Sequence, residues 1–115
     1  MYRNADIKGT IKVDNPLRHI RGYYRRFLNN PENAQDGTSI EDGFIIIEEE
    51  NSGVQTMRRY VLSYDEELNP SMALAGLAPL GTDKVVQLEV NNKFIAISQP
   101  SASTIKFYQT IGDPM

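Results

Sequence analysis

A chain of 115 residues with 40% apolar and 23% charged side chains has the make-up of one domain that buries a core without covalent staples. It contains no cysteine, which excludes disulfide frameworks, thiolate metal sites and thiol nucleophiles. No apolar run approaches the roughly 18 residues of a membrane-spanning helix and no signal-peptide pattern opens the sequence, so a cytoplasmic, soluble protein is expected.

The formal net charge of −3 conceals an uneven distribution. Residues 1–30 carry seven Lys and Arg against Asp6 and Asp14, whereas residues 31–67 carry ten carboxylates against Arg58 and Arg59. Such polarity steers a charged partner or orients self-association. The simpler expectation is that the two segments lie side by side and compensate each other.

In chain order, Asp6 to Val13 reads as a strand with Ile7, Gly9, Ile11 and Val13 on one face. Asp14-Asn15-Pro16 closes it as a turn. Leu17, Ile20, Tyr24, Phe27 and Leu28 then fall at i, i+3, i+7, i+10 and i+11, one helical stripe. Asn15 as N-cap, Pro16 at the first helical position and Asn29-Asn30-Pro31 as a stop predict an amphipathic helix over residues 16–28. The alternative rests on the aromatic-rich run Gly22 to Phe27. It makes residues 18–28 a strand and the chain a small antiparallel β-barrel.

Residues 29–42 read as one long loop. Gly43–Glu50 and Val54–Tyr64 form a central hairpin around Asn51-Ser52-Gly53, where Gly53 supplies the positive φ of a short loop. A two-residue loop at Ser52-Gly53 pairs Ile45 with Tyr60 and Ile47 with Arg58. Apolar groups on both faces near its base indicate a hairpin covered on both sides. Asn69-Pro70 caps a single helical turn through Leu74 that Gly76 and Pro79 keep short. A second hairpin turns at Asn91-Asn92, pairs Leu88 with Ile95 and Val86 with Ile97, and turns Val86, Leu88, Val90, Ile95 and Ile97 inward. After Pro100–Ser103 the last strand, Thr104 to Ile111, points Ile105, Phe107 and Ile111 inward and Lys106, Tyr108 and Thr110 outward. The expected architecture is a single α+β domain spanning 1–115, mainly an antiparallel sheet of about five strands with one amphipathic helix.

No residue pattern nominates catalysis, a cofactor or a metal. His19 is the sole histidine, has no nucleophile at a meaningful spacing and reads as a surface or boundary residue. Glu48, Glu49 and Glu50 alternate faces along a strand, with Glu49 near Arg58 and Glu48 near Arg59 as a cross-strand ladder. Glu41, Asp42, Asp65, Glu66 and Glu67 converge at the base of the hairpin. Lacking an Asp-x-Asp-x-Asp-Gly loop, they read as a solvated acidic edge rather than a cation site. Neither a glycine-rich phosphate loop nor a Gly-x-Ser-x-Gly elbow occurs.

The segment with a binding chemistry is Arg18 to Phe27. Arg18, Arg21, Tyr23, Arg25 and Arg26 combine forked cationic donors with a flat ring, as protein interfaces do. Single-stranded nucleic acid uses the same groups, but the acidity of residues 31–67 argues against that partner. The chain is therefore expected to be a non-enzymatic interaction module that binds another protein, as an adaptor, inhibitor or accessory subunit. The alternatives are a structural subunit of a homo-oligomer, a small ligand-binding barrel, or a single-stranded nucleic-acid binder through Arg18–Phe27.

Overall fold

The computed structural model describes residues 7, 9–28, 38–91 and 93–109. Seven strands run through them: β1 (Leu17–Leu28), β2 (Thr38–Glu49), β3 (Gln55–Tyr64), β4 (Pro70–Gly81), β5 (Gln87–Val90), β6 (Phe94–Gln99) and β7 (Thr104–Gln109). They form two antiparallel sheets with neighbours in chain order, β1-β2-β3-β4 and β5-β6-β7. No α-helix occurs among the described residues, only a 3₁₀ turn at Pro100–Ala102. The fold is thus nearly all β, not α+β, and the two sheets do not close into a barrel.

The largest correction is β1, where an amphipathic helix was expected. Three residues of the supposed buried stripe are open to solvent: Leu17, Ile20 and Tyr24 are 48%, 47% and 52% exposed; the side chains of Phe27 and Leu28 lie outside the described part. Tyr23 is buried instead. A helix here would have left the long β2 edge unpaired; as a strand, β1 pairs with β2 from Leu17↔Glu48 to Leu28↔Thr38. The strand half of the alternative reading, residues 18–28, is what the chain adopts.

Gly53 has φ +89° as expected, but the loop holds three residues rather than two. The Glu50 and Gly53 N–H groups donate to the carbonyls of Val54 and Glu50, a type I turn closed by a left-handed glycine. The pairing therefore moves by one residue, to Ile45↔Arg59 and Ile47↔Met57. Because side chains alternate, a one-residue slip exchanges faces. Met57 and Arg59 go inward beside Ile45 and Ile47, while Arg58 turns outward to pair with Glu48 at 2.7 Å.

The turn expected at Asn69–Leu74 is strand. Pro70 is the first residue of β4 and Pro79 adjoins one of two register shifts in its pairing with β3, the positions where an edge strand accepts proline. Asp65 instead organises a tight turn, accepting the N–H groups of Glu67 and Asn69. The strand expected at Asp6–Val13 is absent from residues 7 and 9–13; Asp6 and Lys8 lie outside the described residues. Of the expected loop 29–42, residues 38–42 belong to β2 and 29–37 lie outside the described residues.

The sheets share one core. Tyr23, Ile45, Ile47, Met57, Ala78 and Leu80 meet Val85, Leu88, Ile95 and Ile97 in a single buried cluster. Two buried glutamines lock the connection between the sheets. The Gln55 amide donates to the Asp83 carbonyl at 2.6 Å and accepts the Val85 N–H at 3.0 Å. Gln99 donates to the Leu80 and Asp83 carbonyls. His19 adds a third tie, its Nε2–H donating to the Val85 carbonyl at 2.9 Å.

In the second sheet Asn91 is the first residue of an Asx turn, its Oδ1 accepting the N–H groups of Lys93 and Phe94. The register becomes Leu88↔Ile97 and Val90↔Ile95. A shift of two residues preserves faces, so Leu88, Ile95 and Ile97 stay inward as expected. Val86 does not: it is exposed, and Val85 is buried in its place. In β7 the expected faces are reversed. Tyr108 lies opposite Ile95 and packs on the core, whereas Phe107 and Ile105, opposite Ala96 and Ser98, point outward. Thr110 and Ile111 lie outside the described residues.

Candidate functional site

The five residues singled out for binding all fall on β1, where Arg21, Tyr23 and Arg25 occupy alternate positions of one register and Arg26 belongs to the intervening set. Arg18, beside the β1 irregularity, pairs with Glu49 at 2.7 Å. Hydrogen bonds from Lys84 and Arg18 hold the Glu49 carboxyl below its ordinary value. Arg21 is exposed and donates to the neighbouring Ile20 carbonyl. Tyr23 faces the core. Arg25 and Arg26 sit opposite Glu41 and Ile40 in the register, with side chains outside the described part. Of the Arg18–Glu49, Arg58–Glu48 and Arg59–Glu41 pairs, the first joins the basic segment to the acidic one, whereas the other two lie within residues 31–67.

The acidic edge is also taken apart. Glu41 points inward, Asp42 outward, and Asp65 is spent on its turn. Among the described residues no group of three or more His, Asp or Glu is placed to hold a metal ion. The cross-strand ladder is exchanged by the register slip, Glu48 taking Arg58 and Glu49 taking Arg18 and Lys84.

Sequence reasoning missed a buried polar cluster on the inner face. The Tyr23 hydroxyl donates to Glu41 at 2.6 Å, and Arg59 Nη1 donates to the same carboxylate oxygen at 2.7 Å. Arg59 Nη2 also reaches the Ala75 carbonyl at 3.3 Å. Burial, followed by the hydrogen bond to Glu41, pushes the Tyr23 phenol up to about 12. Only the neutral phenol suits the fold, so its contribution is full below the unfolded value of about 10 and disappears as pH rises through about 12. Urea unfolding across this range should show stability falling with pH. Tyr23→Phe should lose less over the same interval; an unchanged slope would remove Tyr23 as the cause.

Two outward apolar surfaces stand out among the described residues, neither legible beforehand. On the second sheet Phe94, Ile105 and Phe107 are 44%, 66% and 65% exposed. The rings of Phe94 and Phe107 meet edge to face, with centroids 6.0 Å apart at 75°. Beside them lies a shallow, mostly apolar groove of about 140 Å³ between Glu89, Ala96, Ser98 and Ile105. On the first sheet a cleft of about 430 Å³ opens over Gly22, Tyr24, Asp42, Phe44, Leu62 and Tyr64. Through Phe44, Leu62 and Tyr64 it continues into a second apolar groove bounded by Ile11, Ile20, Leu68 and Met72. Among the described residues no helix is long and apolar enough to cross a membrane. Compared with known proteins, the chain matches no family model, no curated protein and no solved structure.

Proposed function

We propose that the chain is a non-enzymatic interaction module that binds another protein through the outward face of the β5-β6-β7 sheet. The observation that carries this reading is the trio Phe94, Ile105 and Phe107, exposed on one side of a three-stranded sheet whose other side is already filled by the core. Large apolar side chains grouped on a surface mark contact sites. Aromatic pairs held in a fixed geometry make good anchors, because little side-chain freedom remains to be lost on binding. An adaptor, inhibitor or accessory subunit working in the cytoplasm fits this surface.

A second reading, a homo-oligomeric structural subunit, draws on β7 being an edge strand. Among the described residues no strand pairs with its outer edge, which offers backbone groups beside the same apolar patch. The two readings separate in one experiment. Tagged wild-type protein and an Ile105→Ser/Phe107→Ser variant, matched for folded structure, are used to capture partners from the source cells and are sized by light scattering. A monomer that retains a partner the variant loses supports the module. A concentration-dependent dimer that the variant abolishes supports the oligomer. Identical captures and identical sizes for both proteins contradict each reading.

A further inference from the structure

We infer that the cleft on the outward face of the β1-β2-β3-β4 sheet binds an arginine side chain presented by a partner protein. This goes beyond the proposed use of the second sheet, and relies on that reading only in assigning the cation to a protein.

Three observations converge on one place. First, Asp42 lies directly opposite Tyr24 in the β1–β2 register. It is exposed and has no hydrogen bond or ion pair among the described residues, unlike its neighbour Glu41. Second, the cleft around this carboxylate is lined by aromatic rings: Tyr24 and Tyr64, both more than half exposed, and Phe44, two residues along β2 from Asp42. A carboxylate gives a guanidinium a charge-assisted acceptor, and ring faces attract its delocalised charge and stack on its plane. A neutral or anionic group gains neither.

Third, the cleft is open because residue 22 is glycine, and the fold does not require a glycine there. Gly22 has no positive φ, and a Cβ built on it would meet Phe44 at an ordinary 3.7 Å. Glycine inside a strand weakens it, and commonly marks a place where a ligand or another backbone approaches closely. Gly43 is the contrast, since its lack of a side chain is demanded by packing against Tyr23 and Tyr60. The groove that continues past Leu62 to Ile20 and Met72 is apolar. An arginine flanked by an aliphatic residue in an extended segment therefore matches both parts.

The test uses the whole chain and acetyl-Leu-Arg-Leu-amide as probe, followed by NMR of tyrosine ring and methyl resonances. Leu-citrulline-Leu and Leu-norleucine-Leu peptides and guanidinium chloride serve as comparisons. Shifts confined to Tyr24, Tyr64, Leu62 and Met72 are expected. The citrulline peptide should bind at least about fivefold more weakly, because it keeps the shape and loses the charge. Asp42→Asn should weaken the arginine peptide by a similar factor. Gly22→Val should abolish binding while leaving the chain folded, since valine favours strands. The proposal is overturned by an absence of shifts up to roughly 5 mM peptide, by equal binding of the norleucine peptide, or by guanidinium binding as well as the peptide, which would make the site one for free cations. Gly22→Val binding like wild type would also overturn it. None of these results touches the Phe94–Phe107 surface, so this site and the proposed function fail separately.

Discussion

Gly43→Ala is expected to be among the most damaging single substitutions in the protein, although it adds one methyl group. The Tyr23 ring crosses directly over Gly43. A Cβ there would fall inside the contact distance of the Tyr60 carbonyl oxygen and 2.6 Å from Tyr23 Cε1. The oxygen belongs to the backbone of the paired strand and cannot rotate away; the ring is held by its hydrogen bond to Glu41. Relief requires separating β2 from β3 or expelling Tyr23 from the core. A loss of more than about 3 kcal/mol follows, a large part of the total stability of a domain. Gly22→Ala, one position off the Tyr23↔Gly43 pair on the neighbouring strand, should change stability by less than about 1 kcal/mol, since its Cβ meets only ordinary contacts. Chemical denaturation of both variants checks the pair; equal effects would contradict the close approach of Tyr23.

Glu41→Ala should be nearly as costly for an electrostatic reason. Arg59 is buried on the inner face, and its charge is balanced by the Glu41 carboxylate at 2.7 Å. Removing Glu41 leaves the guanidinium with the Tyr23 hydroxyl and the Ala75 carbonyl, neither of which carries compensating charge. Breaking a buried pair from one side costs about 3–5 kcal/mol, most of it the penalty of the stranded ion. Adding Arg59→Met to Glu41→Ala should recover much of the loss, because the stranded guanidinium is then removed as well. The double-mutant cycle is read by urea unfolding at neutral pH. If the double variant is as unstable as the sum of the singles, the pair is not coupled and the explanation fails.

Local chemistry was legible wherever one residue type has one use. Gly53 was placed at a positive φ, and Leu88, Ile95 and Ile97 were placed in the core, because turn glycine and alternating aliphatics carry strong signals. The failures lie where one pattern serves two structures. Leu17, Ile20 and Tyr24 have helical spacing, yet their strand faces solvent and a groove, and the need to pair β2 overrode the periodicity. A third loop residue in the central hairpin took Arg59 from the face of Glu48 to the inner face of Ile45 and Ile47. Loop length, which sequence leaves open, decides faces. β4 was hidden by Pro70 and Pro79, which are tolerated because it is an edge strand with register shifts. In β7 both alternating sets contain large apolar or aromatic groups, so alternation alone could not say which faces inward. The candidate surfaces were illegible for the same reason: they consist of apolar residues that any reading by hydrophobicity assigns to a core.

That ambiguity supplies the most direct test of the account, a comparison of unfolding free energies for Leu88→Ala and Phe107→Ser. Leu88 is buried against Ile97 and the first sheet, and its truncation should cost about 2–5 kcal/mol. Phe107 touches Phe94 on the outside of the same sheet, and its replacement should cost less than about 1 kcal/mol. A Phe107→Ser variant as unstable as Leu88→Ala would instead return Phe107 to the core and remove the outward surface on which the proposed function stands.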